Sequence, residues 1–244
     1  MSGSNWRKRD LPPVGIVRIT PGIGEEALRS YRKCYMGISL DNPVFKGDSL
    51  ESLVGWAVER FDGCLVVVGD YLRRHNEYIL TGSGEEEAVA ASLSAGDSFI
   101  ESSREIFAKA APGRLESVRW RDCMALEEYS QNRSQLERLY VSDGGFEAAL
   151  RKDAGAFIER QVRNGRRLKV PHDEAVSVSC QYLLEEMAVF SALSGRGWQV
   201  ELYPGPELTV LVKAARGAFE GLPEGLKRRI NVELKVGGGG VEAQ

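Results

Sequence analysis

Two kinds of apolar pattern alternate along the chain. Short continuous apolar runs bounded by turn residues predict buried strands, and longer stretches with apolar positions three and four apart predict helices. Cys34 to Ile38 and Cys64-Leu65-Val66-Val67-Val68-Gly69-Asp70, the second ending in Gly-Asp, are runs of the first kind and read as central parallel strands. Val14 to Ile19 predicts a first strand, Leu115 to Trp120 an alternating one, Trp198 to Tyr203 one stopped by Pro204-Gly205-Pro206, and Ile230 to Val236 the last. A short helix to about Arg32 is expected after Gly22-Ile23-Gly24-Glu25-Glu26-Ala27. A second runs to about Phe61, its start Asp48-Ser49-Leu50-Glu51 having capping-box form with Asp48 as N-cap. A long helix over 85–110 opens with Glu85-Glu86-Glu87 at the positive end of its dipole. Further helices are predicted over Met124–Arg138, Phe146–Arg163, Pro171 to about Leu193, and near Glu207 to Phe219. This alternation implies a single α/β domain with a mostly parallel sheet and helices on both faces. The expected boundaries are a flexible basic arm over 1–13, the domain over 14–236 and a disordered tail over 237–244.

Composition narrows the class. At 43% hydrophobic and 27% charged, the chain has an ordinary soluble, globular make-up. It lacks an apolar run long enough to span a bilayer, and its start, Met1 to Asp10, has no apolar core of the kind a secretory signal needs. A cytoplasmic protein is expected, with Cys34, Cys64, Cys123 and Cys180 as reduced core thiols. With no Cys-x-x-Cys pair and only His75 and His172, no metal site is expected. The net charge of −3 means that a nucleic acid would have to be held by a local patch. Arg7-Lys8-Arg9 and the run Arg160, Arg163, Arg166, Arg167, Lys169 are the candidates, set against a solvated tail and a helix end.

Candidate chemistry collects at strand ends. Ser39 follows the Cys34–Ile38 strand and precedes the turn Asp41-Asn42-Pro43, while Gly37 allows a backbone or ligand to come close. Open α/β sheets bind ligands at the carboxyl ends of their strands, so Ser39 is either a turn residue or a functional hydroxyl. Asp70 and Tyr203 end two other predicted strands and could share that rim. Tyr182 and Glu186 lie four apart among Leu183, Leu184, Met187, Ala188 and Val189. They share a helix face, either as a rim-exposed pair or as a buried site for an amine, with Glu186 as counter-ion and Tyr182 as hydrogen-bond partner. The Gly22-x-Gly24-x-x-Ala27 match to a dinucleotide fingerprint is discounted, because Glu25 and Glu26 would stand where a pyrophosphate should sit.

Three of these segments carry a family resemblance. Tyr35-Met36-Gly37-Ile38-Ser39, Tyr182-Leu183-Leu184-Glu185-Glu186 and Tyr203-Pro204 match, in order and separation, the signatures of the cyclodipeptide synthases, which use aminoacyl-tRNAs to make cyclic dipeptides. The chain resembles that family, and the third segment resembles its Tyr-Pro subfamily. Lys33 stands where the family often has histidine, and Asn42 is typical of the other subfamily. The resemblance implies a Rossmann-like fold similar to the catalytic domain of class I tyrosyl- and tryptophanyl-tRNA synthetases. It implies Ser39 as nucleophile, Tyr182 and Glu186 as holders of the α-ammonium group and Tyr203 as a proton relay. Gly37, Asn42 and Pro204 beside these motifs, and Asp70 from its strand-end position, are expected to be substrate-binding. Catalysis would pass through an aminoacyl-serine and a dipeptidyl-serine. The partners implied are aminoacyl-tRNAs, with no DNA and no membrane, and a monomer is expected. The ATP-binding signatures of the synthetases and a Gly-x-x-x-x-Gly-Lys-Ser/Thr loop are missing, so neither ATP nor any other cofactor is expected. The family's basic tRNA-binding helix should fall near 85–110, where this helix is acidic at its start and carries only Arg104 and Lys109. The Arg160–Lys169 run is then the candidate tRNA contact. A non-catalytic tRNA-binding relative of a synthetase and a Rossmann-like nucleotide-binding enzyme are the alternatives.

Overall fold

The structure, a computed structural model, describes residues 11–110 and 113–237. The expected basic arm and the tail lie outside the described residues, apart from 11–13 and 237. In chain order the elements are β1 (Val14–Thr20), α1 (Glu25–Leu28), β2 (Lys33–Ile38), α2 (Gly47–Arg60), β3 (Gly63–Val68), α3 (Arg74–Thr81), α4 (Glu85–Lys109), β4 (Leu115–Arg119), α5 (Trp120–Met124), α6 (Glu127–Ser142), α7 (Gly144–Arg163), α8 (His172–Gly195), β5 (Val200–Tyr203), α9 (Thr209–Ala215), α10 (Glu224–Arg228) and β6 (Ile230–Val236). Among the described residues no helix is long and apolar enough to cross a membrane.

The six strands form one sheet in the order β1-β6-β5-β2-β3-β4. Every neighbouring pair is parallel except β1 with β6, so the first strand is an antiparallel edge. From β2 the chain moves outward through β3 to β4, then crosses back to β5 and β6 on the other side of β2. Strand order therefore reverses between β2 and β5, the place where an open α/β sheet leaves a crevice at its carboxyl edge. The two strands pair at Cys34↔Val200 and Tyr35↔Glu201.

Side-chain alternation divides the core in two. Cys34, Met36 and Ile38 pack with Cys64, Val66, Val68, Val200, Leu202 and the inner face of α2. Tyr35, Leu65 and Val67 pack on the other face against α8, through Leu184, Met187 and Phe190. Both faces of β2 and β3 are buried, which is why those strands are continuous apolar runs in the sequence. All four cysteines are free and buried.

Several expected elements differ in extent. α1 has four residues rather than reaching Arg32, because Arg29 and Ser30 bond back three residues to Glu26 and Ala27 and tighten the last turn. It follows an antiparallel edge strand, so the glycine segment before it has no parallel β-α-β unit around it. Asp48 is not the N-cap of α2. The Asn42 side chain caps a 3-10 turn over Pro43–Phe45, accepting from Val44 N at 3.0 Å, and the helix then begins at Gly47, whose φ of 51° suits glycine. The helix expected over Met124–Arg138 is α6, shifted to Glu127–Ser142. The short α5 before it, where Leu115 to Trp120 was expected to end as a strand, is capped at its start by the Asp122 carboxylate accepting from Arg119 N at 2.8 Å. α9 covers only Thr209–Ala215 of the predicted Glu207–Phe219. α3 was not predicted, because Ile79 is its single fully buried residue and leaves almost no apolar period to read.

Candidate active site

Ser39 leaves β2 at the reversal point. Its carbonyl accepts from Asn42 N at 3.0 Å, closing a turn, and the Ile38 carbonyl accepts from Gly69 N at 3.1 Å. A Cβ on Gly69 would lie 2.8 Å from that carbonyl oxygen, so only glycine lets the exits of β2 and β3 approach so closely. Ser39 and Gly37 are both partly accessible, and among the described residues the nearest atom to a Cβ on Gly37 would be a Phe190 ring carbon at 3.9 Å.

Tyr182 and Glu186 come to this crevice from α8, which feeds β5 and packs over β2. The edge of the His75 ring meets Tyr182, with centroids 6.3 Å apart and planes at 70°. Burial pushes the Tyr182 hydroxyl well above the usual phenol range, and the neighbouring charges that add to this are Glu186, Tyr203 and Asp41. Tyr203, at the end of β5, stands against Phe45 at 6.0 Å. Burial raises its pKa as well, opposed by a hydrogen bond from Asn42, with Glu186 also close. Its ring is backed by Gly205, where a Cβ would lie 3.1 Å from Cε1, and Pro204 stands between them. The structure thus brings Asp41 and Asn42 of the turn after Ser39 beside Tyr182 and Tyr203, with Glu186 close to both tyrosines.

Two adjacent glutamates of α8 have opposite electrostatics. Side chains one apart on a helix diverge by about 100° and meet different surroundings. Glu185 is bound bidentately by Arg74 (2.9 and 2.7 Å), by Trp120 Nε1 (3.0 Å) and by His75 Nε2 (3.4 Å). Burial alone would raise its pKa, but the bonds from Arg74 and His75 outweigh that and lower it to about 2. Glu186 has no ion-pair partner among the described residues, and burial, with Glu201 nearby, raises it to about 8 despite Arg229. A carboxylate so placed is suited to hold an ammonium group that arrives from outside, or to take a proton from one.

Asp70 does not belong to this group. It is fully buried, and its carboxylate is occupied by Arg119 Nε at 2.5 Å, Tyr71 N at 2.7 Å and Trp120 N at 3.3 Å. A Cβ on Gly96 would sit 2.5 Å from the Asp70 Cβ, so α4 is packed directly onto it. Asp70 ties β3 to β4 and α4, and the substrate-binding role expected from its strand-end position is corrected to a structural one. Position at a strand end fixes where a residue lies but not what its side chain meets.

The basic run lies where α7 ends and α8 begins, at the same edge of the sheet, since α8 runs back down the sheet to β5. The charge of Arg160 is close enough to Tyr203 to oppose in part the rise of its pKa by burial, and the backbone N–H of Lys169 donates to Ile79 O at 3.0 Å. Among the described residues α4 offers no free cation instead: Arg104 pairs with Glu101 at 2.5 Å and Lys109 with Glu51 at 3.3 Å.

Sequence reading missed the charged residues behind the site. Arg74 and His75 are on α3, and Arg229 precedes β6, where it contacts Glu201 and Glu207. The available signals were a doubled glutamate inside an apolar helix and a glutamate within a buried strand, each of which demands a cation from somewhere.

A serine, two tyrosines and a carboxylate with no ion-pair partner among the described residues thus stand near the carboxyl edge where the sheet order reverses between β2 and β5, the place where an open α/β sheet binds its ligand. A model of the family described as cyclodipeptide synthase matches residues 24–194, well over half of the chain, and the protein belongs to that family. Among solved structures it is similar to a cyclodipeptide synthase from Fluoribacter dumoffii, with a TM-score of 0.74 and 18% identity over 91% of this chain and 98% of that one. It is also similar to a Mycobacterium tuberculosis protein described as demonstrating that cyclodipeptide synthetases are related to type I tRNA synthetases (TM-score 0.70, 16% identity, 94% and 99% covered). A third is a cyclodipeptide synthase from Candidatus Glomeribacter gigasporarum bound to Phe-tRNAPhe (TM-score 0.60, 17% identity, 87% and 90% covered). At these identities the structural likeness is one of fold. No curated protein sequence matches the chain.

Proposed function

We propose that this protein joins two aminoacyl groups, delivered as aminoacyl-tRNAs, into a cyclic dipeptide through covalent intermediates on Ser39. The observation that carries the reading is that the turn after Ser39 stands, through Asp41 and Asn42, beside Tyr182 and Tyr203, both close to Glu186, a half-buried carboxylate with no ion-pair partner among the described residues. Ser39 Oγ attacks the first ester carbonyl, the bond to the ribose oxygen breaks, and that oxygen leaves with a proton. Glu186 and Tyr182 hold the α-ammonium group of the resulting aminoacyl-serine. The serine-bound amine, having given a proton to Glu186, attacks the second aminoacyl-tRNA ester. The bond to that ribose oxygen breaks, the oxygen leaves with the proton that the amine loses as the amide forms, and a dipeptidyl-serine results. Attack in the other direction would produce dipeptidyl-tRNA and free Ser39, so the order is set by the intermediate. The terminal amine then attacks the seryl ester, the ring closes, and Tyr203 relays a proton back to Ser39 Oγ.

Each acyl donor is already an activated ester, so the chemistry runs downhill to amides without ATP, metal or any other cofactor. Tyr203-Pro204 favours the Tyr-Pro subfamily. The catalytic unit in this reading is the single domain over 14–236, acting as a monomer, with Gly37, Asn42 and Pro204 lining the substrate. Expression in a bacterial host, followed by mass spectrometry of the medium, tests the reaction. A new cyclic dipeptide absent from an empty-vector culture is the expected result, and its absence, with soluble protein and abundant charged tRNA, contradicts the reading.

The tRNA is held by the Arg160–Lys169 run. Changing Arg163, Arg166 and Arg167 together to Gln is expected to weaken tRNA binding and to reduce the slope of log affinity against log salt by roughly 2–3. Filter binding across a salt series reads this, and an unchanged slope would place the tRNA elsewhere.

A further inference from the structure

Beneath the site lies a charged cluster that the reaction above does not use. Arg229 is 4% exposed, Glu201 5% and Glu207 1%. Arg229 Nε donates to Glu201 Oε2 at 2.5 Å and Nη1 to Glu207 Oε1 at 2.7 Å. Its guanidinium stands over the Phe190 ring at 5.3 Å, and Nη2 reaches Asn231 Oδ1 at 3.4 Å. The Tyr35 hydroxyl donates to the same Glu201 oxygen at 3.3 Å. Arg229 therefore touches or bonds side chains from β5, β6, α8 and the loop after β5, and reaches β2 through Glu201. Glu201 is the register partner of Tyr35, two residues before Tyr203 on the same strand face, and its charge acts on Glu186.

Counting charge gives the consequence. Three carboxylates, Glu186, Glu201 and Glu207, share one buried cation, Arg229. Two of them are bonded to it and the third is not. We propose that Arg229 and Glu201 are positioning residues of the ammonium site: their buried ion pair consumes the protein's own cation and leaves Glu186 as the carboxylate reserved for the substrate's amine. The inference rests on Glu186 being the ammonium holder. The other groups facing Glu186 are Tyr182 on its own helix and Tyr203 on β5, with Arg160 beside Tyr203 and Asp41 beside Tyr182.

The free, full-length protein gives the test, independent of turnover. Glutamate is labelled with ¹³C at its carboxyl carbon, and the Glu186 signal is assigned as the one lost in Glu186→Gln. Glu201→Gln keeps the shape and the bond to Arg229 but removes one negative charge, so the Glu186 midpoint should fall by roughly one pH unit. Arg229→Lys keeps the cation and should leave the midpoint close to wild type. A midpoint that does not move in Glu201→Gln overturns the proposal. The same shift should appear in the reaction: the acidic limb of Ser39 acylation, measured in single turnover with total tRNA charged with radiolabelled amino acids, should move to lower pH in Glu201→Gln. A uniform loss of rate with an unmoved limb would reduce the pair to a structural role. Wild-type protein that takes no label would count against the acyl-serine reading, and the midpoint would still decide the coupling.

Discussion

Ser39→Ala is expected to lower cyclic dipeptide formation by at least roughly a thousandfold, to below detection in culture, with the fold unchanged. In the proposed reaction the Ser39 hydroxyl is the atom to which both intermediates are bonded. Stability should change by no more than about 0.5 kcal/mol, because Ser39 is partly accessible and its place in the turn depends on its backbone, whose carbonyl accepts from Asn42 N at 3.0 Å. Product by mass spectrometry and a denaturation curve on the same preparation separate the two effects. Product at even a tenth of the wild-type level would mean that another group carries the acyl chain.

Arg74→Met is expected to cost about 3 kcal/mol of stability. Glu185 is 5% exposed and receives both guanidinium bonds, at 2.9 and 2.7 Å, so losing Arg74 leaves a buried carboxylate with His75 and Trp120 alone. Replacing both partners, Arg74→Met with Glu185→Leu, removes the stranded charge and should recover most of the loss. The sign with pH follows from Glu185, whose folded-state pKa is lowered to about 2. Its contribution is complete above the unfolded carboxylate range and disappears as pH falls toward 2. Urea denaturation of the single and double variants at pH 7 and pH 3 measures both effects. A single variant within about 1 kcal/mol of wild type would show that the pair is worth little. Because Arg73, next in the chain, also reaches Asp41 at 3.3 Å, α3 ties the Ser39 turn to the helix that carries Tyr182 and Glu186. Activity should therefore be lost in Arg74→Met before the chain unfolds.

Most of the sheet was legible because burial on both faces writes itself as an uninterrupted apolar run. β6 has its expected limits, β3 begins one residue before its expected start and ends two before its expected end, and β2 begins one residue before Cys34. The direction of β1 was not legible, since an edge strand alternates in the same way whether it pairs parallel or antiparallel. Ser39, Tyr182, Glu186 and Tyr203 could be proposed because each sits in a local motif. Asp70 had the same strand-end position and a different fate, decided by Arg119, 49 residues away. The cations were invisible for that same reason: Arg74 and Glu185 are 111 positions apart, and Arg229 is 28 from Glu201. Which of two neighbouring glutamates is neutralised, and which is left for the substrate, is settled by tertiary contacts of this kind.

The most direct test of the account is the mass of the enzyme itself. The full chain is mixed with charged total tRNA, quenched in acid within a turnover, and digested, and the peptide containing Ser39 is examined. The account predicts that this peptide gains the mass of an aminoacyl group in the wild type and not in Ser39→Ala, and that the adduct is released by mild base as an ester should be. Cyclic dipeptide formed with no adduct on Ser39, or an adduct on another residue, would contradict it.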